Sequence, residues 1–286
     1  MKILVTGAGL LGRSIADELA AGHDVTVLDV VAPATTGAWD VVVGDLRDPD
    51  ATAKACQLQD VVIHTAALHG IHVHSHSETE FMEVNVTGTF NVLAAARDAA
   101  VRRVVISSST AVFSGHGPVL HDDLPPRGGD VYGLTKVLDE SMAEHFRRKH
   151  AMEVIALRYG AIWQLVLQFD RPDVQQALGG KRPDLVALAM GGGVTDLRDA
   201  VAANIAAALN QGPFDAAYSV LPTTLFDEAS PNARDALAQR FPDLADSLPE
   251  TLATGRVYDA ARAERDLGIT IAHGQEEFLR DALALV

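Results

Sequence analysis

Cysteine is almost absent: the 286 residues contain one, Cys56. A lone thiol rules out an internal disulfide framework and a cysteine-based metal site, so nothing in the chain calls for an oxidising compartment. Basic charge is also scarce, with 23 Lys+Arg against 38 Asp+Glu and a formal net charge of -15. Such a field repels polyphosphate backbones and anionic membrane surfaces, which argues against nucleic acid and membrane as partners; a small anionic ligand in a local basic pocket stays compatible with it. No run approaches the roughly 18 to 20 apolar residues that span a bilayer. The first residues, Met1 to Gly7, pass straight into an apolar strand pattern with no separate cleavable segment. A cytoplasmic protein is expected. There is no internal repeat and no low-complexity tract. What remains is 48% hydrophobic and 21% charged, the composition of a chain that folds by burial.

Six short β-branched runs punctuate the first part: Ile3 to Val5, Val25 to Leu28, Val41 to Val43, Val61 to Ile63, Val104 to Ile106 and Val154 to Leu157. They are apolar on both faces and separated by helix-length segments such as Leu11 to Ala21, Thr87 to Ala100 and Val131 to Lys149. That alternation predicts βαβ crossovers covering both faces of one parallel sheet, an α/β doubly wound fold of Rossmann type. From about Gln164 prolines and glycines loosen the pattern. The expected division is a dinucleotide-binding domain over residues 1–163, with 185–221 returning to it, and a smaller, discontinuous substrate region over 164–184 and 222–286.

Gly7, Gly9 and Gly12 form a G-x-G-x-x-G turn, with Leu10 and Leu11 opening the amphipathic pattern that follows the first strand. Glycine lets the backbone approach a pyrophosphate, and the free amides at a helix start favour negative charge. The same glycines would serve any tight strand-to-helix turn. Asp29, about twenty residues on at the end of the second strand, narrows the choice: a carboxylate there can accept hydrogen bonds from ribose hydroxyls and repels a 2′-phosphate. The residues after it supply no arginine. NAD is therefore expected rather than NADP.

Tyr132 and Lys136 stand four apart at the start of a helical pattern, so phenol and ammonium share one face. A tyrosine is a poor base near neutrality, but a neighbouring cation stabilises its phenolate. Ser107 to Ser109 close the fifth strand, at the carboxyl edge where open α/β sheets bind ligands.

With these motifs in order, the chain resembles the extended short-chain dehydrogenases/reductases, in particular the NAD-dependent epimerase/dehydratase group acting largely on nucleotide sugars. The likeness rests on the glycine loop, Asp29, Gly44-Asp45-Leu46, His64-Thr65-Ala66-Ala67, Asn85 to Thr89, Ser107 to Phe113, Tyr132 with Lys136, Leu157-Arg158, Asp196 with Asp199, and Ala261-Arg262 with Leu267-Gly268. The resemblance implies Tyr132 as acid/base, Lys136 as holder of the nicotinamide ribose, and Ser109 as the group that polarises the reacting oxygen. It also implies that Asp45 and Leu46 cover the adenine and that Ala66 and Asn85 line the cofactor channel.

The chain departs from that family in several places. Its glycine loop is one residue shorter, Thr110-Ala111-Val112 carry none of the carboxylates used for dehydration or decarboxylation, and Phe113 stands where a tyrosine is usual. His64, His69, His72, His74 and His76 crowd the segment leaving the fourth strand. His64 is structural by resemblance, while His69 and His72, with His116 and Trp163, are candidate contacts to a polar or anionic substrate. The alternatives are a solvated loop for the histidines and core packing for Trp163. No metal site is expected. Arg171, Lys181 and Arg182 are either anion contacts or merely solvated. The faces of Phe90, Leu93 and Ala94 and of Val137, Leu138 and Met142 suit either a homodimer contact or packing on their own sheet.

The expected activity is hydride transfer at a secondary alcohol or ketone of a sugar or nucleotide sugar, with epimerisation through a keto intermediate. The alternatives are a dehydrogenase with exchangeable cofactor and, in another class, a non-catalytic dinucleotide-sensing protein.

Overall fold

The computed structural model describes residues 1–117, 119–166, 193–222, 235, 238–239, 242, 257–274 and 277–278. Arg171, Lys181 and Arg182 lie outside the described residues, as does most of the expected smaller region. The strands are β1 (Lys2–Thr6), β2 (Asp24–Asp29), β3 (Asp40–Val43), β4 (Val61–His64), β5 (Arg103–Ser109), β6 (Val119–Leu120), β7 (Glu153–Tyr159), β8 (Ala161–Ile162), β9 (Val194–Thr195), β10 (Ala217–Val220) and β11 (Val257–Tyr258). Among the described residues, seven of them form one sheet in the order β10-β7-β5-β4-β1-β2-β3. Every pairing in it is parallel. The direction of winding reverses between β1 and β4, which puts a topological switch point at the carboxyl ends of those two strands.

Strand alternation divides the core into two layers. Ile3, Val5, Val27, Ile63, Val105 and Leu157 face helices α1 (Leu10–Leu19) and α7 (Leu197–Leu209). Leu4, Leu28, Val62, Val104 and Ile106 face α2 (Pro49–Cys56), α4 (Gly88–Asp98) and α5 (Val131–His150). Each fully buried aliphatic side chain contributes on the order of 1.5–3 kcal/mol of transfer free energy. The alanines of α7, Ala200, Ala203 and Ala207, are fully buried, so that helix lies close against the sheet. Among the described residues there are also three short helices, α3 (Glu78–Phe81), α6 (Trp163–Val166) and α8 (Ala261–Leu267).

Two returns to the main body stand out. The strand β10 pairs with β7 at the sheet edge, Tyr218 opposite Leu157. Helix α8, expected with the smaller region, instead packs Ala263 and Leu267 into the same core layer as α7. The two apolar positions are spaced four apart, enough for one buried stripe on a two-turn helix.

The longest described helix, α5, carries the tyrosine and lysine. It begins where Asp130 caps it, the carboxylate accepting from Gly133 N–H at 2.7 Å. It ends with Arg147, Arg148, Lys149 and His150 in its last turn, charges that suit a helix C-terminus. Its buried face runs through Lys136, Asp139, Ala143 and Phe146, so a cation and a carboxylate interrupt an otherwise apolar stripe.

Candidate active site

The first turn of α1 lies over the carboxyl end of β1. Gly7 has φ +90°, and a Cβ built on it would come within 2.8 Å of the Ala66 backbone. A Cβ on Gly12 would meet Gly7 O at 1.9 Å. These two glycines are required by the chain's own packing. Gly9, at the helix N-cap with φ -68°, differs: a Cβ there meets nothing within 4 Å. It has no side-chain cap, and the first turn holds no acidic residue. Bare backbone facing open space at a helix N-terminus, the cradle at the start of α1, has the form that suits an anionic group.

Asp29 lies beside that cradle, its Oδ2 accepting from Ala8 N–H at 2.6 Å and its Oδ1 from Val31 N–H at 3.1 Å. A carboxylate has about four lone-pair positions, so both oxygens retain capacity for hydroxyl donors. Asp45 is held by Arg47, whose Nη2 donates to Oδ2 at 2.6 Å. That hydrogen bond holds the Asp45 carboxyl below the usual range. Leu46 is buried, and its carbonyl accepts from Asn91 at 2.8 Å.

Asn85 is fully buried within a π-helical turn, Met82–Thr87, that links α3 to α4. Such turns widen a helix by one residue and often mark functional positions. Here the widening turns the Asn85 amide toward two other elements. Its Oδ1 accepts from Leu68 N–H at 2.7 Å, and its Nδ2 donates to Leu68 O and to Thr135 Oγ1, each at 3.0 Å. Asn85 thus ties the loop after β4 to the helix of the tyrosine. Thr135 was not foreseen from sequence; only its place between Tyr132 and Lys136 hinted at it.

Lys136 reaches the carboxyl end of β5 through Ser107, two residues before Ser109, with Tyr132 beside it. Ser109 closes β5 opposite Tyr159, and its Oγ accepts from Ala111 N–H at 3.2 Å. Lys136 is buried; its Nζ donates to Ser107 O at 3.0 Å and to Asp139 Oδ2 at 3.1 Å, and lies 5.8 Å from the Tyr132 ring centre. Burial opposes the Lys136 charge, but Asp139, Tyr132 and Glu140 outweigh it and hold the ammonium above the ordinary lysine range. Sequence reasoning passed over Asp139. Its signal was a carboxylate three residues after the lysine on the buried face of α5.

A second buried polar group braces the same strands. Arg158 donates through Nε and Nη2 to both oxygens of Glu140, at 2.9 and 2.8 Å, and Ser108 Oγ donates to Glu140 Oε1 at 2.6 Å. The guanidinium also covers the buried Phe113 ring, 5.0 Å from its centre. Phe113, which stands where the family usually has a tyrosine, is therefore core, packed under Arg158. Trp163 is likewise fully buried, its ring 5.3 Å from that of Phe278, and has no surface open to a ligand.

The histidines separate into distinct roles. His64 is buried between Thr6 Oγ1 at 2.6 Å and Thr89 Oγ1 at 2.9 Å. Burial, reinforced by the Lys136 charge, pushes its pKa down to about 3, so the ring is neutral near pH 7. His69 and His72 bracket a turn over Gly70–His72, with His69 N–H donating to His72 Nδ1 at 3.0 Å. That turn lies against Tyr132: a Cβ on Gly70 would be 3.3 Å from its Cδ1. His116 is tied elsewhere, Nε2 to Pro125 O at 2.8 Å. Among the described residues no three His, Cys, Asp or Glu side chains are grouped to hold a metal ion, and no helix is long and apolar enough to cross a membrane.

Comparison with known proteins gives concordant matches. Residues 3–162 match the model of the NAD dependent epimerase/dehydratase family. An L-arabinose 1-dehydrogenase (NAD(P)(+)) of Haloferax volcanii is 33% identical over 174 residues, covering 56% of this chain and 66% of that protein. A UDP-glucose 4-epimerase of Erwinia amylovora is 30% identical over 177 residues, covering 56% and 52%. The matched stretch thus spans between about half and two thirds of these relatives. A short-chain dehydrogenase/reductase superfamily protein of Agrobacterium tumefaciens, solved with bound NAD, superposes with a TM-score of 0.77 at 25% identity, covering 99% of this chain and 96% of that one.

Proposed function

The chain belongs to the NAD dependent epimerase/dehydratase family, and from that premise we propose that it is an NAD-dependent oxidoreductase acting at a secondary alcohol or ketone of a sugar or nucleotide sugar. The observation that carries this reading is the position of Lys136, anchored on Ser107 O beside the Tyr132 ring at the carboxyl edge of the sheet.

The amides at the Gly9 end of α1 would receive the diphosphate, Asp29 would accept from ribose hydroxyls, Asp45 and Leu46 would border the adenine, and Ala66 would line the channel, with the buried Asn85 holding the loop behind it. Leu10 and Leu11 carry the first turn of the cradle. Bound NAD supplies the hydride acceptor and, when reduced, the donor. Tyr132 takes the proton from the substrate hydroxyl as carbon is oxidised and gives one back on reduction. Ser109 Oγ donates to the same substrate oxygen and stabilises the charge that develops on it. Lys136 holds a positive charge near the phenol and favours its ionised form. His69 and His72, in the turn against Tyr132, contact the substrate beyond the reacting carbon.

Epimerisation follows when the ketone turns over before hydride returns. A second reading, a dehydrogenase that releases product and exchanges cofactor, is favoured by the likeness to the L-arabinose dehydrogenase. The protein purified without added nucleotide and then denatured distinguishes them by mass analysis of what is released. Stoichiometric NAD or NADH supports the epimerase reading. An empty protein that binds NAD and forms NADH with L-arabinose supports the dehydrogenase. Recovery of NADP, or failure to bind either dinucleotide, contradicts the proposal.

A further inference from the structure

Asp139 is a buried ionisable group that the proposed chemistry leaves without a task. Its side chain is 0% exposed, its partner Lys136 is 4% exposed, and the two are 3.1 Å apart. Asp139 Oδ1 has no partner at full hydrogen-bond geometry among the described residues. A buried ion pair is a poor stabilising device, because desolvation of the two charges offsets their attraction. Uncharged residues of similar volume would hold α5 against the sheet at least as well. The carboxylate therefore calls for another explanation, and the lysine supplies one.

An ammonium has three protons to donate. Ser107 O takes one and Asp139 takes another, which leaves one beyond these two bonds on a nitrogen 5.8 Å from the Tyr132 ring centre. We propose that Asp139 is the positioning residue for Lys136: its carboxylate keeps the buried ammonium charged and oriented, and thereby sets the pH at which Tyr132 gives up its proton. This inference rests on the Tyr132–Lys136 reading above.

The surrounding groups leave Asp139 as the direct counter-ion. On α5, Tyr132 and Glu140 also face Lys136. Glu140, however, is committed to Arg158 of β7 and Ser108 of β5. His64 of β4 is neutral and held by Thr6 of β1 and Thr89 of α4. Burial raises the Asp139 pKa above the ordinary carboxylate value, and Lys136 and the Thr89 hydroxyl oppose it by favouring the ionised form. With the carboxylate removed, the lysine loses its counter-charge in a site where burial alone depresses lysine pKa values by several units.

The test needs no substrate. Tyrosinate absorbance is titrated in the wild type, Lys136→Met, Asp139→Asn and the double variant Asp139→Asn/Lys136→Met, each with and without Tyr132→Phe, so that the difference isolates Tyr132 among the 4 tyrosines. Asp139→Asn is expected to move Tyr132 ionisation to higher pH by about one unit, a tenfold fall in ionised fraction. Lys136→Met is expected to move it at least as far, and the double variant no further than Lys136→Met alone, because Asp139 acts through the lysine. No shift in Asp139→Asn, a shift to lower pH, or a double variant that differs from Lys136→Met overturns the proposal. If Lys136→Met itself leaves Tyr132 unmoved, the Tyr132–Lys136 reading fails, and the proposal falls with it. Should Asp139→Asn not fold, the double variant, which buries no unpaired charge, still decides by its agreement or disagreement with Lys136→Met.

Discussion

Gly70 lies next to the Tyr132 ring: a Cβ on Gly70 would stand 3.3 Å from the ring carbon Cδ1. The histidine-rich turn after β4 and the tyrosine of α5 are therefore in direct contact, and the size of residue 70 sets the position of the phenol. A branched side chain there must push either the turn or the ring. Gly70→Val is expected to lower kcat/KM by roughly tenfold to a hundredfold, the cost of misplacing a reacting group by about an ångström. The NAD dissociation constant is expected to stay within about twofold, since the glycine cradle lies on another loop. Steady-state kinetics beside a binding titration check this; an unchanged kcat/KM contradicts it.

The glycines of the cradle separate stability from binding. Gly12→Ala drives a methyl into Gly7 O, where a Cβ would stand only 1.9 Å away. It is expected to cost about 1–3 kcal/mol by overpacking, read as a lower Tm. Gly9→Ala enters open space and is expected to leave Tm unchanged while weakening NAD binding at least about tenfold, because the methyl occupies the phosphate's approach. Equal effects of the two substitutions on Tm would contradict the assignment.

Asp29 pins Ala8 N–H beside the glycine turn, where the proposed function has it accept from the ribose. Asp29→Asn keeps the shape and removes the charge that repels a 2′-phosphate. The ratio of NAD to NADP affinity is expected to fall by about tenfold, most of it from tighter NADP binding. A ratio that stays constant on titration with both dinucleotides would show that Asp29 does not choose the cofactor.

His64 makes the fold sensitive to acid. Its folded pKa, about 3, lies below the ordinary value of 6.5, so between those values the unfolded chain binds a proton that the folded one refuses. Stability is whole above pH 6.5 and is lost as pH falls toward 3, at a slope of about 1.4 kcal/mol per pH unit. His64→Asn is expected to flatten this dependence in denaturant unfolding measured across that window. A dependence identical to the wild type would rule out His64 as its source.

Much of this architecture could be read from residue order. The runs from Ile3 to Val5 and Val104 to Ile106 are apolar on both faces, a pattern that only a strand covered from both sides tolerates, and both lie in the parallel sheet. The glycine turn, Asp29 and the Tyr132–Lys136 spacing are local patterns that survive without knowledge of the fold. The features that escaped depend on contacts between distant segments. The π turn holding Asn85 keeps a helix-like apolar period, so nothing local shows that one residue is added. Asp139 and Lys136 are three residues apart on one helix, and only the burial of both side chains distinguishes the pair from an ordinary surface one. Trp163 and Phe113 are aromatic beside a strand in either role, and only packing on Phe278 and Arg158 assigns them to the core. Helix α8 is too short for its two apolar positions to announce which body they cover.

The account turns on Tyr132 as the proton carrier. Tyr132→Phe removes one hydroxyl and leaves the ring that packs on Gly70, so the measurement is turnover and NAD affinity of this variant beside the wild type, with L-arabinose and UDP-glucose as substrates. The account predicts a loss of about a hundredfold to ten-thousandfold in kcat, the range for a general acid–base group, with NAD binding retained. A Tyr132→Phe protein that keeps the full wild-type rate would contradict it.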